Sequence, residues 1–351
     1  MILTDQCCEP PIAYSLLLHN LQFQNQTAMK TKVLLFFSVM MVPMMLGAQN
    51  VKWLKKGLDA EDPKKKIEYF TKSIEKSEAP AVAYFNRGSA KYDLKDYQGA
   101  ISDYSKAITI NPKDAVTYYF RGNIKYKLKD YQGAIDDYTK VIELNPKGAV
   151  AYINRGKAKR ILHDYQGAIA DYTKAIKIDP GYAFTYSNRG NTKNEIKGNQ
   201  GAIADITFYI SLDANNPSGY NSRGVCYTIM LKYEQAIADF NKAISIKSDY
   251  SSAYANLGYV YMQQRRTDLA VDNFNQCLKI DVKNLSANLD LAIVYYIKGN
   301  LQESKKYLGI AKSIEPRLSK GIVGITNLEK EDYYWTDKDK KSLKKMFVAL
   351  K

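Results

Sequence analysis

From residue 81 onward the apolar positions carry two periods, one nested in the other. Across Ala81, Tyr84, Phe85, Gly88 and Tyr92, large and small residues recur at helical spacing. A second helical run opens at Asp96, a candidate N-cap. It ends before Pro112, because the residue preceding proline disfavours helix. The block then repeats. An Arg-Gly pair falls at 87–88, 121–122, 155–156, 189–190 and 223–224, always 34 residues apart, and Leu257–Gly258 and Leu291–Ala292 continue the series. With the glycine at position 8, the units are 81–114, 115–148, 149–182, 183–216, 217–250, 251–284 and 285–318. Each predicts a helix hairpin that cannot bury its apolar face alone, so the units must stack into an array.

The positions that repeat are those two packed helices need. Position 4 is Tyr84, Tyr118, Tyr152, Tyr186, Tyr220 and Tyr254. Position 20 is Ala100, Ala134, Ala168, Ala202, Ala236 and Ala270, then Ser304. Position 24 is Tyr104, Tyr138, Tyr172, Ile206, Phe240, Phe274 and Leu308, and position 32 is Pro112, Pro146, Pro180 and Pro316. These offsets resemble the tetratricopeptide repeat (TPR), and the resemblance spans residues 81–318. It implies an all-α solenoid of about eight helix hairpins, curved into a right-handed superhelix. It also accounts for the 29 tyrosines. Positions 4, 12, 17 and 24 hold 16 of them, mostly packing sites, so core packing is preferred to base stacking.

One departure from the family varies in step within the chain. Position 7, usually leucine there, is Arg87, Arg121, Arg155, Arg189 and Arg223. In the same units position 23 is Asp103, Asp137, Asp171, Asp205 and Asp239. Where position 7 becomes Leu257 and Leu291, position 23 becomes Asn273 and Tyr307. The coupling predicts an ion pair between the helices of each hairpin; the alternative is an arginine ladder for anionic ligands. Position 11 is Lys91, Lys125, Lys159 and Lys193, then Tyr227, Tyr261 and Tyr295, so the array changes character near residue 217.

In the family the first helices line a concave groove that takes a peptide or a partner helix. Carried onto this sequence, that groove is Phe85, Tyr92, Tyr119, Asn123, Tyr126, Ile153, Asn154, Lys157, Arg160, Phe184, Asn188, Asn191 and Asn194. Amides suit a peptide backbone, aromatics cover side chains, and Lys157 with Arg160 attract acidic groups. Some family members clamp a C-terminal carboxylate with Lys, Asn, Asn, Lys and Arg. Here Tyr119, Phe184 and Asn188 stand in place of the three cations, which argues against that ligand. Variation on a merely solvated face is the plain alternative to a groove.

The N-terminus reads as an address. Met29, Lys30 and Lys32 precede an apolar run from Val33 to Leu46, and Gly47 and Ala48 follow, as in a secretory signal peptide. A span needs about 20 apolar residues; an uncleaved anchor or a buried helix is the alternative. Residues 1–28 are expected to be an extension ahead of the true start at Met29, with residues 29–48 the signal. Residues 49–80 look like a degenerate first repeat, with Asp62 and Pro63 opening its second helix. Residues 319–351 are expected to form a C-terminal helical cap, a solvated helix face in preference to a membrane-surface one.

Composition narrows the function. The chain has 46% apolar and 25% charged residues, 51 Lys+Arg against 36 Asp+Glu, and a net charge of +15. Export would favour an acidic protein or an anionic envelope surface over nucleic acid. With two histidines and four cysteines the sequence has no zinc-type Cys/His cluster, and no phosphate loop or nucleophile elbow occurs, so neither catalysis nor a cofactor is expected. Cys226 and Cys277 are expected as buried thiols. The reading is an exported, non-enzymatic protein- or peptide-binding scaffold, periplasmic or extracellular, with no membrane span once the signal is removed. The rival is a structural subunit of an envelope or secretion complex, held by its convex face or its cap.

Overall fold

The computed structural model describes residues 51–321 and 337–350, and the expected extension and signal lie outside them. Among the described residues there are helices and turns and no strand. The chain divides into two units, residues 1–188 and 189–351. In the first lie α1 (Lys52–Asp59), α2 (Pro63–Glu75), α3 (Pro80–Asp93), α4 (Tyr97–Ile110), α5 (Ala115–Lys127), α6 (Tyr131–Leu144), α7 (Ala149–Ile161) and α8 (Tyr165–Ile178). The boundary falls inside α9 (Ala183–Glu195). The second unit continues with α10 (Asn199–Leu212), α11 (Pro217–Ile229), α12 (Tyr233–Ile246), α13 (Ser251–Gln263), α14 (Thr267–Ile280), α15 (Leu285–Ile297), α16 (Leu301–Ile314), a 3-10 turn (Pro316–Lys320) and α17 (Asp337–Ala349). From α1 to α16, successive pairs form eight antiparallel hairpins, a TPR-like helical solenoid by construction.

Local chemistry sets the helix ends. Asp96, Asp130 and Asp164 each accept a hydrogen bond from the amide three residues on, at Gly99, Gly133 and Gly167. Asp62 caps α2 through Lys64 N–H, with Pro63 in the first turn. Where proline is missing after the second helix, the turn survives. Asp213, Lys247 and Asp281 share the backbone conformation of Asn111, at φ −126° to −144° and ψ 76° to 98°, so the turn does not require proline. The shortened α1 borrows its cap: Glu78 Oε2 accepts from Trp53 N–H at 2.7 Å and Leu54 N–H at 3.0 Å.

Six of the eight hairpins close by a ring lying over a glycine; at Gly190 the partner is Ile206. A Cβ on Gly88 would stand 3.0 Å from the Tyr104 ring and one on Gly156 2.9 Å from Tyr172, while at Gly224 the Phe240 ring is 2.6 Å away. The rings are buried, Tyr104 and Tyr172 at 1% and 0%. The last hairpin differs. Ala287 to Val294 are all buried, including Leu289 and Ile293 on a face that is half-exposed in most earlier first helices. Leu343, Met346 and Phe347 of α17 share that apolar cluster. Cys226 and Cys277 are buried free thiols, each pushed up to about 11 by burial.

Two outcomes follow from this packing. Gly224→Ala should lower unfolding stability by about 1–3 kcal/mol, since the Phe240 ring must give way in a filled core. Leu231→Gly should raise it by up to about 1 kcal/mol, because exposed Leu231 sits at φ 58°; denaturant melts of both variants check this. The pH response is also directed. Burial pushes the Tyr104 and Tyr138 hydroxyls upward, and Tyr182 to about 12. Unfolded tyrosines ionise near 10, so above that pH the native state binds more protons than the unfolded one. Stability present below pH 10 should therefore drain as pH rises through the folded values. Absorbance of tyrosinate and circular dichroism should then change together.

Candidate functional site

Two sets of polar side chains rise from the first helices, and the structure gives them opposite fates. The first set is the Arg–Asp pairs. In every one of the five units, Arg Nε and Nη2 donate to the two oxygens of one aspartate at 2.6–2.9 Å: Arg87 to Asp103, Arg121 to Asp137, Arg155 to Asp171, Arg189 to Asp205 and Arg223 to Asp239. The carboxylates are 2–9% exposed and the guanidinium side chains 14–19%.

Four of the five guanidinium groups reach further. Nη1 of Arg87, Arg121, Arg155 and Arg223 donates to a hydroxyl on the second helix of the preceding hairpin, at Thr71, Ser105, Thr139 and Thr207. The same four guanidinium groups lie 5.4–5.7 Å from the ring centroid of the tyrosine three residues before. A rung thus ties three helices together, and it leaves no free fork for an anionic ligand.

The lysines at position 11 belong to these rungs. Lys91, Lys125, Lys159 and Lys193 reach the same aspartates at 2.8–2.9 Å. Burial by itself would raise the Asp103 pKa, but Arg87 and Lys91 together hold the carboxyl below its usual range. Position 11 was legible as a change of character near residue 217. The signal missed was that its lysines occur only alongside the Arg–Asp pair. The hydroxyls at position 25 carry the same mark: Thr71, Ser105, Thr139, Thr173 and Thr207 precede the arginine units, and Asn241 and Asn275 precede the leucine ones.

The second set lies together on one face of α5 and α7. Asn154 Nδ2 donates to the Tyr119 hydroxyl at 3.4 Å, and the Tyr138 hydroxyl donates to Asn123 Oδ1 at 2.8 Å. Burial raises the Tyr119 pKa against the opposing effect of Asn123 and Asn154. Tyr126 meets Tyr131 edge-on at 5.3 Å, and the charge of Arg160 is felt at its hydroxyl. Lys157 stands one turn beyond Asn154 and one before Arg160, on the same helical face. It is half-buried, and desolvation alone lowers its pKa.

The remaining sequence-predicted residues scatter. Phe85 packs between Tyr104 and Phe120, at 5.4 and 5.7 Å. Tyr92 faces Tyr97 at 5.5 Å, with the Lys127 ammonium over both rings. Phe184 is exposed and Asn188 half-buried, while Asn191 and Asn194 lie past residue 188, in the second unit. Ile153 needs correction. It is 1% exposed and packs with Tyr152, Ala168, Tyr172 and Ala175, so it belongs to the core and not to a ligand surface. An unbranched polar residue can lift its head out of that position, whereas an aliphatic one sinks into the neighbouring helix. Among the described residues no His, Cys, Asp or Glu cluster could hold a metal, and no helix is long and apolar enough to cross a membrane.

Comparison with known proteins agrees with the hairpins. A family model described as tetratricopeptide repeat matches residues 81–114, 115–147 and 149–182, a second of that description matches 251–284, and one described as TPR repeat matches 232–265. None of the curated proteins matches. Among solved structures, a tetratricopeptide repeat protein from Parabacteroides merdae is 17% identical with a TM-score of 0.52, over 78% of this chain and 98% of its own. The C-terminal part of a TPR repeat-containing protein from Cytophaga hutchinsonii is 19% identical with a TM-score of 0.52, over 68% and 98%. The structure of the APC/C hetero-tetramer Cut9-Hcn1 aligns with 90% of this chain and 62% of its own, at 17% identity and a TM-score of 0.55. At these identities the likeness is one of fold.

The rungs make a quantitative prediction. Asp171→Asn strands the Arg155 and Lys159 charges and should cost about 3–5 kcal/mol. Adding Arg155→Leu, which recreates the Leu257 and Asn273 combination of the sixth repeat, should recover more than half of that. The double-mutant cycle by urea unfolding should show coupling well above 0.5 kcal/mol.

Proposed function

Because this chain is a tetratricopeptide-repeat protein, we propose that it is a non-enzymatic scaffold that binds a protein or peptide on the inward face of its first helices. One observation carries the reading. In residues 51–188 the repeated positions are consumed by packing and by the rungs, while the unlike residues Tyr119, Asn123, Tyr126, Asn154, Lys157 and Arg160 share one face on adjacent helices. Paired amides and tyrosine hydroxyls at that face suit the backbone of an extended segment, and the ring edges suit its side chains. A net charge of +15 favours acidic partners through long-range attraction.

The place of action in this proposal is outside the cytoplasm, at or near a bacterial envelope. It is supported by the basic, apolar and small-residue pattern of residues 29–48. The partner is then an exported protein or an envelope component.

A crosslinked pull-down with the tagged chain from native envelope tests the reading. Tyr126→Ala combined with Arg160→Glu should reduce capture of a discrete partner at least tenfold, and the fold should remain intact by circular dichroism. A partner held equally by both forms, and lost instead on truncation after Pro316, would move the function to the C-terminal cap and a structural role in an assembly.

A further inference from the structure

Nine half-buried cations on the first helices follow one rule, and Lys157 breaks it. Arg87, Lys91, Arg121, Lys125, Arg155, Lys159, Arg189, Lys193 and Arg223 each meet a buried aspartate within 3 Å. Lys157 lies on the same helix as Arg155 and Lys159, yet its stem points to the opposite face from theirs, since two residues turn a helix by more than half a circle. No ion pair or hydrogen bond from the described residues reaches its ammonium, and burial is the sole influence on it. A half-buried charge without a partner is costly to the fold. At this position the neighbouring repeats carry small or neutral groups, Ser89 and Asn123, which bond the Tyr104 and Tyr138 hydroxyls at 3.0 and 2.8 Å. A serine or asparagine was thus compatible with the packing, and the lysine serves some other end.

We propose that Lys157 is one half of an ion pair whose other half arrives with the ligand: a single carboxylate of a bound peptide seats on its ammonium, beside the Tyr119–Asn154 pair. This rests on the scaffold reading above and specifies its ligand. The surroundings fit one negative charge. One turn away, Asn154 can hold the adjoining peptide group while it keeps Tyr119. Arg160, one turn the other way, has its charge felt at the Tyr126 hydroxyl and adds attraction for the same incoming group. A phosphate dianion carries a second charge and would have to draw on Arg160 as well as Lys157. The carboxylate can come from an aspartate or glutamate side chain or from a chain terminus, and the two sources are separable by experiment.

The probe is a set of nine-residue peptides with randomised flanks and a fixed centre of Glu, Gln, Asp, Asn or phosphoserine, each made with a free or an amidated C-terminus. Binding is measured to the intact chain and to its Lys157→Met and Lys157→Arg variants. The intact chain should prefer Glu- or Asp-centred amidated peptides over their amide counterparts by about tenfold or more. Lys157→Met should abolish that preference while keeping the Gln-centred binders, and Lys157→Arg should retain most of it. A preference for free over amidated termini, whatever the centre, that is lost in Lys157→Met assigns the carboxylate to a chain end. Equal binding of Glu and Gln peptides by the intact chain, or a preference that survives Lys157→Met, overturns the proposal and leaves the scaffold reading standing. Failure of every peptide set, with Tyr126→Ala and Arg160→Glu also without effect on partner capture, removes the scaffold reading and the proposal together. A ligand-free melt supplies an independent arm. Relief of an uncompensated charge should leave Lys157→Met melting at or above the parent temperature; a fall of several degrees would mark Lys157 as a structural residue and end the idea.

Discussion

A carboxylate can be buried between helices only if cations come with it, and this requirement organises the N-terminal and central repeats. One aspartate on the second helix of a hairpin accepts two guanidinium hydrogen bonds from the first helix, and in four of the five cases a lysine ammonium as well. The guanidinium then has donors to spare, and it spends one on the hydroxyl of the hairpin before. Orientation within a hairpin and attachment to its neighbour are thereby coupled through one planar group, something lysine alone could not do. Burial makes the arrangement demanding: the pair is close to neutral against an apolar filling of the same volume, and strongly unfavourable once either partner is lost. The later repeats show the apolar solution, with Leu257 and Leu291 in the arginine position.

The rungs change what the basic composition means. Nine of the cations on the first helices are committed to five buried aspartates in pairs or triads, so they add to the positive field while their bonding is already engaged. Recognition has to come from what the rungs leave over. In the unit of residues 51–188 that remainder is a short row of tyrosine, asparagine, lysine and arginine on α5 and α7. Its polar groups are partly committed to one another, as Tyr119 is to Asn154. Such a face is preorganised, and a ligand pays little to order it. In the second unit the corresponding face closes at its C-terminal end, where Leu289 and Ile293 share a core with Leu343, Met346 and Phe347 of α17.

Much of the architecture could be read from residue order alone. Hairpin number, phase and helix ends depend on local matters: a 3.6-residue period, caps such as Asp96, and a glycine opposite a ring at fixed spacing. The Arg155–Asp171 pair was legible for a different reason. Two positions that change together must answer to one another, and the chain carries seven copies of the comparison. What residue order could not convey was how far each side chain is consumed by neighbours in adjacent hairpins. Position 5 holds Tyr119 in one unit and Ile153 in the next. The same helical angle gives a hydroxyl that reaches Asn154 in the first case and a core residue in the second, because the outcome depends on the side chain opposite. Lys157 and Lys159 look alike in the sequence. Only the packed structure separates them, since one points at a buried aspartate on the paired helix and the other at a face where no carboxylate waits. Burial and partnership are properties of the space between helices, and that space exists only after the hairpins have stacked.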